Sequence, residues 1–164
     1  MAIQAPNNVF LKGAKLAISD YLDPKLITFL DADSRDSAMR TIVDLVAKES
    51  DHIDDAASFY QAIIDREKVV STGVGMGVAV PHAKLATCHN FFVTIGILKK
   101  GVDWDAIDGA PVRLIFMIGG PDDKPTEYLQ ILSTLTMAMK DEERRKKMLQ
   151  SKDPAAIMEL FRNF

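Results

Sequence analysis

Apolar residues recur along this chain with two different periods, and the change from one to the other marks its elements. The segment Leu26-Ile27-Thr28-Phe29-Leu30 is short, apolar and partly β-branched, and acidic Asp31 and Asp33 follow it. That pattern predicts a strand entering a turn. Asp33 or Ser34 then suits a helix cap, with Asp36 placed to complement the positive end of the helix. Met39, Ile42, Val43 and Val46 follow at helical spacing and predict one inward face through Lys48. A second helix is expected from Asp54 or Asp55, carrying Phe59, Ala62 and Ile63 inward and running out near Asp65–Lys68.

Past that point the pattern becomes extended. Val69–Val80 is rich in glycine and valine and reads as extended chain and turns. Two β-rich runs follow, Phe91–Leu98 and Val112–Ile118, and the first is almost continuously apolar, as for a strand buried on both faces. A turn-rich connection, Asp103–Pro111, separates them, and Gly119–Asp123 ends the second. Helical signals then resume. Pro125 suits a first helical position, and Leu129, Leu132, Leu135 and Met139 are expected to form an inward stripe. In Asp141–Lys147 the acids come early and the bases late, as the helix dipole favours, and the charge block reads as a solvated face. Asp153-Pro154 starts a last helix, with Ile157, Leu160 and Phe161 inward. Strand, two helices, several strands and then helices predict an α/β fold whose sheet is covered by helices on both faces.

Composition narrows the function classes. A chain of 164 residues fits one domain. With 48% hydrophobic and 26% charged residues it has the make-up of a soluble globular protein. The net charge of −3 provides no basic field for nucleic acid or an anionic membrane. The single cysteine, Cys88, excludes an internal disulfide and fits a reducing cytoplasm. No run is long enough to span a bilayer, and Lys12, Gly13 and Lys15 interrupt the apolar residues near the start. Residues 1–16 therefore read as an arm and 17–164 as the domain, with an amphipathic docking piece over Val9–Leu22 as the alternative.

The chemistry-bearing stretch is Asp65–Leu85, DREKVVSTGVGMGVAVPHAKL. Gly73, Gly75 and Gly77 alternate, a spacing that matches neither the dinucleotide fingerprint nor the P-loop. Pro81 fixes the backbone before His82 and gives the imidazole a defined direction. A phosphoryl carrier needs a neutral imidazole nitrogen, donors for the phosphoryl oxygens and a balancing positive charge. His82 supplies the nitrogen in this reading, and Arg66, Ser71 and Thr72 are candidates for charge and donors. Plainer roles stand beside these: a helix-end ion pair of Arg66 with Asp65 or Glu67, a turn cap for Ser71 and Thr72, and strand shaping for the glycines.

The pattern R-E-K-x-x-S-T-G-x-G-x-G-x-A-x-P-H over Arg66–His82 resembles the signature of mannitol/fructose-type EIIA domains. These belong to the bacterial phosphoenolpyruvate-dependent sugar phosphotransferase system. The resemblance extends through Gly101–Asp108, Pro111-Val112 and Tyr128–Ser133 and covers roughly residues 17–162. The phrase DWDAIDGAPV is most similar to the nitrogen-related regulatory EIIA proteins. This implies a mixed sheet between helices, phosphorylation of His82 on Nε2 by an HPr-like carrier, and Arg66 steadying the phosphoryl oxygens. It also implies an EIIB domain or a regulatory target as recipient. The sequence departs from the family pattern at Tyr128, often a second histidine, and at Met76, often asparagine. A tyrosine hydroxyl still donates a hydrogen bond but cannot become cationic. Three readings stay open: a regulatory phosphoryl carrier, a protein-binding module with little transfer, and a sugar-transport EIIA.

No cofactor or metal is expected. Cys88 and His89 lie close to His82 in sequence, but four zinc ligands at recognisable spacing are lacking, and His52 reads as an exposed loop residue. Asp103, Asp105 and Asp108 lack the EF-hand pattern, and no nucleophile elbow is present. Trp104 reads as packing, since no second aromatic or acid pair accompanies it as a sugar platform.

Overall fold

The computed structural model describes residues 16–164. The expected arm up to residue 15, and with it the first half of the alternative docking piece, lies outside the described residues. From Leu16 onward the chain makes two 3₁₀ turns, Ile18–Tyr21 and Pro24–Leu26, whose Ile18 and Leu26 are fully buried.

Strand β1, Ile27–Leu30, leads to helix α1, Arg35–Glu49. Ser34 caps α1 through a reciprocal pair of bonds with Ser37, which satisfies two groups that the helix end leaves free. Asp55 caps α2, Ala56–Val69, by accepting from the Ala57 N–H. Strands β2 (Gly73–Gly75), β3 (Val78–Ala79) and β4 (His82–Lys84) are short. Strands β5 (Phe92–Val102) and β6 (Val112–Gly120) are long, each outrunning its expected end. Helices α3 (Pro125–Met139), α4 (Glu142–Gln150) and α5 (Pro154–Leu160) complete the chain. Pro125 and Pro154 take early positions where no N–H is needed, and Asp141 and Asp153 cap α4 and α5.

The sheet is mixed, in the order β1-β5-β6-β3-β2, with β4 also paired to β6. β5 and β6 are antiparallel, whereas β1 runs parallel to β5 and both β3 and β4 run parallel to β6. Ala79 pairs with Ile115 and His82 with Ile118, so β3 and β4 keep one register as two halves of one line. Val80 and Pro81 interrupt that line, and Ile118 N–H donates to the Pro81 carbonyl at 2.9 Å. The proline itself has no N–H for a ladder.

Each face of the sheet is covered by helices. On one side Met39, Ile42, Val43 and Val46 of α1 and Phe59 and Ile63 of α2 pack with Phe92, Leu98, Ile115 and Met117. α1 comes so close that a Cβ on Gly96 would meet the Ile42 side chain at 2.6 Å. On the other, Tyr128, Ile131, Leu135, Met148, Ile157 and Phe161 pack with Val93, Ile95, Leu114, Phe116 and Ile118. The mixed sheet between helices is the architecture expected.

Two expectations need correction. Leu129 is exposed and Leu132 only partly buried; the inward stripe of α3 runs Tyr128, Ile131, Leu135, Ala138 and Met139, so Leu135 and Met139 face inward as expected. Tyr128 takes the inward place expected of Leu129 because its ring carries a large apolar surface, which an apolar count underrates. His52 is partly buried, its ring stacked on Phe92 at 4.5 Å. Phe92 opens the long strand β5 and gives the loop imidazole an aromatic face to cover.

Candidate functional site

His82 opens β4 at the point where the β3–β4 line resumes after Pro81. Its Nδ1 lies 3.1 Å from the Val80 carbonyl oxygen, two residues back. A carbonyl can only accept, so Nδ1 carries the proton and the ring is the tautomer with an Nε2 lone pair. The Arg66 Nε–H donates to that Nε2 at 3.1 Å. The imidazole is thus held at both nitrogens, by backbone on one side and by a permanent cation on the other.

The protonation state follows from the surroundings. Burial is the largest influence holding the His82 imidazole below its ordinary pKa. The hydrogen bond to Val80 works in the opposite direction, and the charges of Arg66 and Lys84 add to the depression. Each of the depressing causes disfavours imidazolium, so the ring is kept neutral and nucleophilic near neutral pH.

Arg66 projects from the last turn of α2. Its Nη1 donates to the Val70 carbonyl at 2.8 Å, beyond the helix end, which leaves the guanidinium lying toward β4. The helix-end ion pair does not form: Asp65 accepts from Gln61, and Glu67 is turned inward to Thr72. Tyr128, in the first turns of α3, packs its ring on His82 with centroids 5.2 Å apart. Burial pushes its phenol up, while Arg66 opposes that shift. Lys84 lies two residues after His82 on the same strand face, with Nζ 4.4 Å from the Tyr128 ring centroid. Arg66 and Tyr128 therefore reach the imidazole from opposite faces of the sheet.

Ser71 and Thr72 are not part of this cluster. The Ser71 hydroxyl donates to the Trp104 carbonyl at 2.7 Å and accepts from the Gly73 N–H. The Thr72 hydroxyl donates to Glu67 Oε1 at 2.6 Å and accepts from the Trp104 indole N–H at 3.3 Å. Both side chains tie the glycine-rich loop to the buried Trp104 instead of facing His82. Gly73 is needed for that junction, because a Cβ there would lie 2.7 Å from that of Ala106.

Met76 sits at the β2–β3 turn with φ 61, between Gly75 and Gly77, both also at positive φ. Asparagine tolerates left-handed backbone better than other side chains, which gives a conformational reason for the asparagine frequent here in the resembled family. The Met76 N–H donates to Asp108 Oδ2, and Asp108 Oδ1 accepts from Ala110, so that aspartate stitches two turns together. Cys88 is buried, with its thiol pushed up by that burial.

Sequence reading passed over three participants. The Val80 carbonyl carries no side-chain signal. Lys84 was legible from its His-x-Lys spacing, since alternate strand residues share a face. Glu67 was legible as a carboxylate on the Phe59–Ile63 stripe of α2.

The whole domain has recognisable relatives. Residues 20–164 match the family model described as "Phosphoenolpyruvate-dependent sugar phosphotransferase system, EIIA 2". The chain is 36% identical over 122 residues to the fructose-specific EIIABC component of Bacillus subtilis, covering 74% of this chain and only 19% of that protein. It is 32% identical over 127 residues to the fructose-specific EIIA component of Haloferax volcanii, covering 77% of this chain and 82% of that one. Its structure is similar to the crystal structure of the nitrogen regulatory protein IIA-Ntr from Neisseria meningitidis, with a TM-score of 0.82 at 26% identity. That match covers 88% of this chain and 98% of the other. Sequence and fold agree over nearly the same residues, and this chain belongs to the EIIA type 2 family of the phosphoenolpyruvate-dependent sugar phosphotransferase system.

Proposed function

We propose that this chain is a cytoplasmic phosphoryl carrier that takes its phosphate on His82 Nε2 from a phosphorylated HPr-like protein. The observation that carries the reading is the two-sided fixing of the imidazole, with Nδ1–H on the Val80 carbonyl and Arg66 Nε on Nε2. The Nε2 lone pair attacks the donor's phosphorus, an Nε2–P bond forms, and the P–N bond to the donor histidine breaks, returning its electron pair to the donor. Once Nε2 is phosphorylated it no longer accepts from Arg66. The freed N–H then serves a phosphoryl oxygen while Nη1 keeps its hold on Val70. Positive charge that develops on the ring is met at Nδ1–H by the Val80 carbonyl, a fixed dipole that needs no reorganisation.

Tyr128 favours a regulatory use of this phosphate over fast relay to an EIIB domain. Its buried ring occupies one side of His82, and its hydroxyl cannot become cationic as a second histidine would. In this reading the recipient is a regulatory target protein.

The test is intact-protein mass after incubation with phosphoenolpyruvate, enzyme I and HPr. One acid-labile phosphate, absent in His82→Ala with the fold intact, is the expected result. Unchanged incorporation in that variant overturns the assignment of His82. Rapid discharge to an EIIB domain would replace the regulatory reading with the sugar-transport one.

A further inference from the structure

We infer that Glu67 is a positioning residue: its buried carboxylate fixes the segment whose Val70 carbonyl anchors Arg66 against His82. Glu67 continues the Phe59–Ile63 stripe of α2 and is 2% exposed, a place where an apolar side chain would pack at no electrostatic cost. Its two oxygens are both used, one by the Thr72 N–H and the other by the Thr72 hydroxyl, each at 2.6 Å. That pair of bonds closes a loop around Val69, Val70 and Ser71. Trp104 secures the same loop from outside, through its carbonyl to Ser71 and its indole N–H to Thr72.

Packing does little to hold the bracketed residues. Val69 is 78% exposed and Val70 is 59% exposed. The Val70 carbonyl nevertheless receives Arg66 Nη1, and the same guanidinium reaches His82 through Nε. The position of the cation is therefore set by hydrogen bonds that end on Glu67, not by burial of the segment carrying its anchor. A carboxylate here satisfies both Thr72 donors, which no apolar replacement can do. The serine and threonine of the glycine-rich signature thus act on the phosphoryl site through Arg66.

Two readouts separate this role from simple stabilisation. The groups facing His82 are Arg66, Lys84 and Tyr128, and only Arg66 is anchored through the Glu67 loop. The His82 ring is titrated by NMR in Glu67→Ala, Glu67→Gln and Thr72→Val, with no phosphate donor present. Met148→Ala, in the core on the far face of the sheet, serves as a destabilised control. The expected result is a His82 midpoint raised toward the ordinary imidazole range in Glu67→Ala, a smaller rise in Glu67→Gln and Thr72→Val, and none in the control. The rate of phosphate incorporation from HPr is expected to fall about 10- to 100-fold in Glu67→Ala, the order of loss a displaced catalytic group brings. If Glu67→Ala does not fold, Glu67→Gln and Thr72→Val decide the matter. A His82 midpoint unchanged in every folded variant overturns the inference. The rate measurement rests on the proposed phosphorylation of His82, whereas the titration does not, so failure of one is distinguishable from failure of the other.

Discussion

The two ends of the signature segment and its middle are turned in different directions. Arg66 and His82, sixteen positions apart, meet side chain to side chain. Ser71, Thr72 and Gly73, between them, face Trp104, Ala106 and the buried Glu67. One continuous motif therefore has chemical ends and a structural middle. Hydroxyls beside a proposed phosphohistidine look like phosphate donors in sequence, yet a donor already bonded to a buried carboxylate is not free for a ligand. Damage to the middle is expected to appear as instability or as displacement of Arg66, and damage to the ends as loss of transfer.

The largest effect should come from the structural middle. Trp104 is fully buried and makes hydrogen bonds to both Ser71 and Thr72. Trp104→Ala is expected to lose about 3–5 kcal/mol in chemical denaturation, as large aromatic deletions do. A loss under one kilocalorie per mole would dissolve the distinction between middle and ends. Arg66→Ala is expected to leave the thermal midpoint nearly unchanged while slowing phosphate incorporation about 10²- to 10³-fold, the scale of losing one oriented donor to a transferring group. Arg66→Lys should recover only part of that rate, since an ammonium cannot hold Val70 and the phosphoryl group with a planar fork.

Met76 gives a smaller effect with the opposite sign. Its φ of 61 strains a side chain other than glycine or asparagine. Met76→Asn should stabilise the protein by about 1 kcal/mol, with incorporation at His82 unchanged. A simultaneous loss of transfer would show that the hairpin turn belongs with the chemical ends.

The smallest effect is in pH dependence. The folded His82 pKa lies below the ordinary value because burial, Arg66 and Lys84 disfavour imidazolium. Between the folded and unfolded values the unfolded chain binds the extra proton. The His82 contribution to stability is therefore complete above about pH 6.5 and is lost as pH falls through the folded pKa. Replacement by glutamine should flatten that part of the stability profile. Incorporation in the wild type should persist below the ordinary imidazole midpoint, and Arg66→Ala should move the fall-off to higher pH.

Much of the fold was legible because its signals are local. Ser34, Asp55, Asp141 and Asp153 cap helices within three residues of themselves, and β5 and β6 are long apolar runs. The pairing of β3 and β4 with β6 was not legible. Strands of two and three residues have no periodicity to read, and their partners lie 36 positions away. His82 and Arg66 could be named from the signature and its resemblance, but their mutual geometry depends on Pro81 and on the helix end at Val70. Ser71 and Thr72 could not be placed, because their partner Trp104 is 33 and 32 residues distant. Tyr128 and Leu129 compete for the inward position on α3, and hydropathy alone prefers the leucine that the structure exposes. Among the described residues no helix is long and apolar enough to cross a membrane.

The most direct test of the central claim is a long-range proton–nitrogen spectrum of the His82 ring in uniformly ¹⁵N-labelled protein, taken before and after phosphorylation by HPr. The account predicts a neutral ring protonated at Nδ1 beforehand, and phosphate on Nε2 with Nδ1–H retained afterwards. A ring protonated at Nε2 in the resting protein, or phosphate appearing on Nδ1, would contradict it.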